Sequence, residues 1–406
     1  MIAWLLVLLQ AAAPAQTAPL DLSTLEAQAL SRHPAIRAAS AGVEAAKSRA
    51  RQAGAWTNPV IGVAAEELRP REQPSGVYGG FVQQTIPLGG KLSAAKGVAA
   101  AEVGEAEAAL DAVRQRVLLD VRERFHAAVL ADERLSVVTT MAALADRTIE
   151  MTRQLMNVGI ADRPDMLMAE AEAARMKSRL VEAQALRIAA WHRLGAAAAD
   201  PDLAPRPLAQ DIAAALPALD RSQALARVLA ENTTIAAAER SLATQRLQVS
   251  AQKAATKPDL FLRGDVAANR ERAHDRAIGP QFGVEVGMSI PLFDRNRGGV
   301  TAATLMMSSA EAAVAAARLD VTAAFASTYA EYESARAAVE AYRIEILPKA
   351  RESFEMQAAK YREMIAAYPP VLQAERNLFS MTEEYLAALE RAWMAASAIR
   401  TAIAVR

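Results

Sequence analysis

From Phe282 to Ile290 apolar residues alternate with small or polar ones without a break, in the order Phe-Gly-Val-Glu-Val-Gly-Met-Ser-Ile. A period of two puts one apolar face and one polar face on an extended strand. Leu260, Leu262, Gly264 and Val266 set against Phe261, Arg263 and Asp265 give a looser version. Two weaker ones run over 60–68 and 77–86. The pattern predicts four strands, at about 60–68, 77–86, 259–267 and 281–290. Charged, turn-rich loops, 69–76 and 269–280, join them in pairs. Elsewhere the period is helical. From Leu92 to about Asn157 there is no Pro, and Gly occurs only at Gly97 and Gly104. At about 1.5 Å per residue such a helix is about 100 Å long. A second one runs from about Val300 to Arg362, interrupted only by Pro348. Helices of this length demand coiled-coil-like packing, with a seam through Val113, Val117, Val121, Phe125 and Val129. Helices of moderate length, about Ser23 to Trp56 and about Arg221 to Thr256, precede the strand pairs.

The chain repeats itself once. Leu20–Ile36 resembles Leu219–Ile235, each opening on Leu-Asp with a Ser expected as N-cap. Asn58-Pro59 corresponds to Lys257-Pro258, Ile86-Pro87-Leu88 to Ile290-Pro291-Leu292, and Pro164–Glu170 to Pro369–Glu375. All four offsets are about two hundred residues, in one order. The expected division is a signal peptide at 1–15, a first repeat at 16–205 and a second at 206–406. Each repeat holds a helix, two strands, a long helix and a return helix.

Four strands cannot close a barrel, for which about eight is the practical minimum. In lipid an open sheet edge leaves backbone groups unpaired at several kcal/mol each. If the strands are membrane strands, several chains share one barrel, and three chains give twelve strands. The fold class expected is then mainly α with a small β part: long helical hairpins forming a trimeric helical barrel, and four strands per chain contributing to a shared twelve-stranded transmembrane β-barrel. Pro87 and Pro291 end the ladder because Pro donates no hydrogen bond. Gly89, Gly90, Asp294 and Asn296 then turn the chain into the next helix. The competing reading is a soluble periplasmic coiled-coil scaffold with β-insertions, against which the alternating strand and the repeat both count.

Composition narrows the chemistry. The chain has 46 basic and 46 acidic residues in 406, so no net charge draws it to nucleic acid. It has no Cys, which excludes disulfides, thiolate metal sites and Cys nucleophiles. The four His, at 33, 126, 192 and 274, cannot form a His-Glu-x-x-His site. The first residues read as a secretory signal, with an apolar run Ile2–Leu9 and a small-x-small site at Ala13-Pro14-Ala15. Beyond it no apolar run is expected to reach membrane-helix length, Gly298–Ala310 being too short and too polar.

These residues together resemble the outer membrane efflux protein family, the TolC-like trimeric channels of tripartite pumps. The resemblance covers nearly the whole chain after the signal. Val158, Gly159 and Ile160 match the family's first helix-turn-helix tip, with Ile in place of Leu, followed by Asp165 and Ala169. The resemblance implies that this tip engages a periplasmic adaptor protein; the charges beside it, Asp162, Arg163 and Asp165, either set register there or cap the turn and the return helix. Tyr361 matches the family's tyrosine before the second turn, but Arg362-Glu363-Met364 lacks its glycine. Where the best known member has paired aspartates at the constriction, this chain has Pro370 and Gln373. Two readings of this second tip stay open: a wider resting pore, or a gate built from Tyr361, Tyr368 and Gln373. Asn58–Glu67, QTIPLGGK at 84–91 and PLFDRNRG at 291–298 are similar to the heavy-metal branch of the cobalt-zinc-cadmium type. The function implied is a passive outer-membrane duct, homotrimeric, working with an adaptor and an inner-membrane RND pump, its cargo divalent metal cations. The alternatives are the same channel in drug or solvent efflux, or in type I secretion. No catalytic residue, cofactor or metal ligand set is expected.

Gly89-Gly90-Lys91-Leu92-Ser93 fails as a phosphate loop, because Thr85 replaces the first Gly and Leu92 the Ser or Thr after Lys. Met151, Met156, Met166, Met168 and Met176 flank the first tip, and thioethers favour Cu(I). Their spacing over several faces favours gap-filling instead. Glu66, Glu67, Arg263, Asp265 and Glu285 fit either a lumen lining or a solvated face.

Overall fold

The computed structural model describes residues 19–66, 76–208, 216–273, 276–363, 365 and 367–402. The expected signal at 1–15, Glu67, Leu68, loop residues 69–75, His274 and Met364 lie outside the described residues.

The chain runs twice through one succession of elements. The first pass is α1 (Leu22–Arg32), α2 (Pro34–Ala53), β1 (Val60–Glu66), β2 (Val77–Pro87), α3 (Lys91–Asn157) and α4 (Arg163–Ala197). The second is α5 (Arg221–Glu231), α6 (Thr233–Ala255), β3 (Asp259–Ala273) and β4 (Arg276–Ser289). It continues through α7 (Arg297–Ala341), a π-helical turn (Tyr342–Ile346), α8 (Leu347–Arg362) and α9 (Tyr368–Ala402). The chain divides into two compact units. One comprises Met1–Ile36, Arg114–Ala230 and Ala323–Arg406, the other Arg37–Val113 and Glu231–Thr322. Each half of the sequence therefore contributes to both units.

Local chemistry explains where the expected elements break. The moderate helices are each two helices. Pro34 forces His33 out of helical geometry, to φ −63° and ψ 127°, and then opens α2 as its first residue. In the second repeat the Asn232 side chain accepts from Thr234 N and Ile235 N and so starts α6 afresh. The Ser caps are not used. Asp220 accepts from Gln223 N at 2.8 Å and from the Ser222 hydroxyl, and Asp21 holds the N-cap position of α1. Pro348 does not end its helix, because it falls in the first turn of α8, directly after the π turn.

The second unit carries one antiparallel sheet in the order β1-β2-β3-β4. The hairpins meet along β2 and β3, from Val77 opposite Asn269 to Pro87 opposite Asp259. β3 and β4 are longer than expected: most of 269–280, read as loop, is strand, with one bulge between Asn269 and Arg272. The ladder is made by backbone groups, so a charged run does not end it. It stops at Ser289, one residue before Ile290.

In the first unit the expected seam is real. Val117, Val121, Phe125 and Val129 are buried, and Val113, across the boundary in the other unit, is half-buried. Phe125 packs beside His126, which stacks on Trp393 at 4.1 Å. Trp191 is buried and Arg187 pairs with Asp132.

One expectation about membranes is corrected. The stretch Arg297–Arg362 contains a window long and apolar enough to cross a bilayer, and only 6% of that window is buried. Counting contiguous apolar residues missed it because its apolarity is spread over many Ala with Ser and Thr between them. Leu305, Met306 and Leu319 are exposed on this helix, which leaves apolar surface in need of a covering.

Candidate functional site

Three places collect the residues singled out above: a helical tip in the first unit, and a rim and a strand wall in the second.

At the tip α3 ends at Asn157, and Gly159 turns the chain with φ +77°. Gly159 N then donates to Met156 O at 3.1 Å, and Ile160 N and Ala161 N both donate to Leu155 O at 3.0 and 3.3 Å, satisfying two of the last carbonyls of the helix. A Cβ at Gly159 would meet nothing beyond its chain neighbours within 4 Å, so the requirement for Gly comes from the backbone conformation. Val158 is 65% exposed and Ile160 47%. They form an apolar point with exposed Met156 and Leu167 nearby in sequence. Asp162 and Asp165 form a reciprocal capping box at the start of α4, Asp165 N donating to Asp162 Oδ1 at 3.0 Å. Their geometry accounts for the turn.

The second hairpin, α8 to α9, packs against the first. Tyr361 and Tyr368 are buried with ring centroids 5.7 Å apart. Leu155, Ala161, Ala169, Val371 and Leu372 complete one cluster, so the two hairpins share a core. The Tyr361 hydroxyl donates to Thr152 Oγ1 at 3.1 Å. Burial pushes both tyrosine hydroxyls above their ordinary range, and for Tyr368 the nearby Glu375 and Glu172 add to it. Of the three residues read as a gate, Gln373 alone is exposed, bonded to Asn377 one turn on. Tyr361→Phe is expected to cost about 0.5–1.5 kcal/mol through Thr152. A small fall in the thermal midpoint with an unchanged yield of folded protein is the result to look for. The methionines fall in separate places: Met151 and Met168 against the tyrosine cluster, Met176 in the next.

Beyond the tyrosines lies a charged layer that sequence reasoning missed. Glu172, 2% exposed, is held by Arg175 Nε at 3.0 Å and Arg376 Nε at 2.9 Å. Glu375 is 3% exposed, and neither carboxyl oxygen has a hydrogen-bond partner among the described residues. Burial raises its carboxyl to about 7, the charge of Glu172 adds to the shift, and Arg175 and Arg376 oppose it. The signal was present: Tyr368, Val371, Leu372, Glu375 and Leu378 recur at helical spacing on one apolar stripe, and Glu375 is the misfit.

At the rim Pro87 closes β2, and Gly89 and Gly90 follow at φ +67° and +77°. A side chain on Gly89 would collide with Lys257 at 2.3 Å. Lys91 pairs with Asp259 at 2.7 Å, tying the start of α3 to β3. At the other crossing, past Pro291, Asn296 takes a left-handed φ of 49°. Asn296 N donates to Asp294 Oδ1 at 2.9 Å, and Nδ2 donates to the Gln252 carbonyl at 3.0 Å. The expected turn residues thus make the turns. Trp56, Ile290, Leu292 and Phe293 are exposed beside them, a composition that suits a membrane–water interface.

The wall has two faces. Register places Val284 opposite Gly264, Val286 opposite Leu262 and Phe282 opposite Val266, and all three named β4 residues are exposed. Ile61, Val63 and Val82 continue this apolar face. The other face carries Glu66, Gln83, Arg263, Asp265, Gln281 and Glu285. Arg263 lies over the Phe81 ring at 4.2 Å, with Glu285 its register partner. Among the described residues no cluster of three or more His, Asp or Glu is placed to hold a metal ion.

A family model described as outer membrane efflux protein matches residues 25–200 and 224–405. The chain is 27% identical over 389 residues to the cobalt-zinc-cadmium resistance protein CzcC of Cupriavidus metallidurans, covering 94% of this chain and 89% of that one. It is 27% identical over 316 residues to the nickel-cobalt-cadmium resistance protein NccC of Alcaligenes xylosoxydans, covering 74% and 68%. Among solved structures, the outer membrane protein VceC of Vibrio cholerae superposes with a TM-score of 0.77 at 20% identity, covering 94% and 96%.

Proposed function

The chain belongs to the outer membrane efflux protein family, and from that premise we propose that three copies form the exit duct of a tripartite system for divalent heavy-metal cations. Its place is the outer membrane, and it is a passive channel, not an enzyme.

One observation carries the assembly: a four-stranded sheet with an exposed apolar face and two edges, β1 and β4, unpaired among the described residues. In lipid those edges cost several kcal/mol per unpaired group, and three copies joined β4 to β1 close a twelve-stranded barrel. The exposed apolar surface of α7 supports the same association. The likeness to CzcC and NccC over most of the chain supports metal as cargo. In this reading residues 16–205 and 206–406 are the two repeats, after a signal at 1–15. Val158, Gly159 and Ile160 dock a periplasmic adaptor, Asp162 and Asp165 hold the turn that presents them, and an RND pump loads the duct. Tyr361 and Tyr368 serve the gate by holding the hairpins together, while exposed Gln373 faces the pore. Pro87, Gly89, Gly90, Pro291, Asp294 and Asn296 shape the rim.

The test is the mass of the detergent-extracted, unheated complex from isolated outer membranes, followed by metal sensitivity of a deletion strain. A mass of about three chains and sensitivity to zinc, cobalt or cadmium are expected. A soluble monomer sinks the duct. Sensitivity only to drugs or solvents moves the cargo to the multidrug class.

A further inference from the structure

We propose that Glu375 is a proton-binding site that sets how tightly the tip is packed: neutral Glu375 holds the two hairpins together, and its ionisation loosens them. The proposal rests on reading this end as the periplasmic entrance.

The geometry leaves Glu375 little choice. Its side chain is within the first unit, 3% exposed, with both oxygens unpartnered. A lone buried carboxylate is strongly disfavoured unless paired. The two cations that act on it, Arg175 and Arg376, are engaged elsewhere. On α4, Arg175 donates twice to Glu172 Oε1, at 3.0 and 2.5 Å. On α9 itself, Arg376 holds Glu172 Oε2 at 2.9 and 2.8 Å. Glu172 adds a second negative charge on the α4 side. Tyr368, the other titratable group of α9 there, is a neutral phenol, as is Tyr361 from α8. The polar side chains that α3 buries near the tip are Thr148 and Thr152, both neutral. Thr148 is spent on Leu144 O, and Thr152 accepts from Tyr361. Arg175 and Arg376, both spent on Glu172, offset an ionised Glu375 only in part, so the charge is relieved by admitting water, which means separating the hairpins that Val371 and Leu372 hold together.

The sign follows from linkage. Packing raises the carboxyl from 4.5 to about 7, so it favours the protonated form. Its contribution to tip packing is full below about 4.5 and is lost as pH rises through about 7. With those two values the equilibrium constant for opening the tip increases about tenfold from pH 6 to pH 8. Above that it changes little.

The experiment is hydrogen–deuterium exchange on the full-length channel in detergent between pH 6 and 8, corrected for the intrinsic rate. Peptides covering 149–176 and 354–380 are expected to lose about tenfold in protection, while strand peptides stay level. Glu375→Gln and Glu375→Met, each of similar size and uncharged, should both abolish the dependence. A flat wild-type profile, or an undiminished dependence in either folded variant, overturns the proposal. Conductance in planar bilayers is read separately. A tip that responds to pH in a protein that never conducts defeats the duct reading and leaves the proton site standing.

Discussion

Gly159→Val is expected to abolish efflux while leaving the amount of channel in the outer membrane unchanged. The φ of +77° at this position is open to Gly and hostile to a β-branched residue. Holding Val there costs about 1–3 kcal/mol. A Cβ at this position lies in open space, with nothing beyond the chain neighbours within 4 Å. The strain is therefore relieved locally, by re-forming the turn at Val158–Ile160 and not by unfolding the hairpin, whose core lies at Leu155, Tyr361 and Tyr368. A penalty of that size on the docked geometry corresponds to about 5–150-fold in adaptor affinity. The measurement is metal tolerance of the host beside an immunoblot of isolated outer membranes. Intact tolerance with normal channel abundance would show that this turn is not the docking point.

The second large effect concerns the wall. Val284→Arg places a charge on the apolar face, at a residue 78% exposed in the chain alone. At the bilayer midplane Arg on a barrel's lipid face costs about 2–4 kcal/mol, and three copies place three such charges in one barrel. The yield of unheated trimer in the outer membrane should fall by about thirtyfold or more. Gln281→Arg, three residues earlier on β4 and on the face that carries Arg263 and Asp265, should insert normally. If both insert equally, the assignment of faces is wrong. If Gln281→Arg alone fails, the sheet is inside out.

How much of this was legible differs by element. The strand Phe282–Ser289 announces itself because a period of two has one structural meaning. The long helix α3 does so because 67 residues without Pro leave the chain no place to stop. The breaks at His33 and Asn232 were harder: each is one residue, and a single cap competes with a whole run of helix formers. The extension of β3 and β4 through 269–280 was hidden because side-chain pattern marks faces, whereas ladders are made by backbone. At the tip, the Val-Gly-Ile turn was legible through its likeness to the family's tip, whereas the cap at Asp165 is local and could be read directly. Glu172 and Glu375 looked like ordinary charged positions on Ala-rich helices. Their burial needs α4, α8 and α9 to be in place around them.

The sequence by itself determined the long helices and the presence of four strands, the turn residues at the rim, and which side of β4 is apolar. These depend on neighbours a few positions away, where backbone geometry decides what meets what. Only the tertiary structure decided that the hairpins join along β2 and β3, and that Tyr361 reaches Thr152 across 209 residues of chain. It also decided that Arg376 closes on Glu172 and leaves Glu375 bare. Burial and hydrogen-bond satisfaction belong to surfaces brought together from distant segments, and no local pattern records which partner arrives.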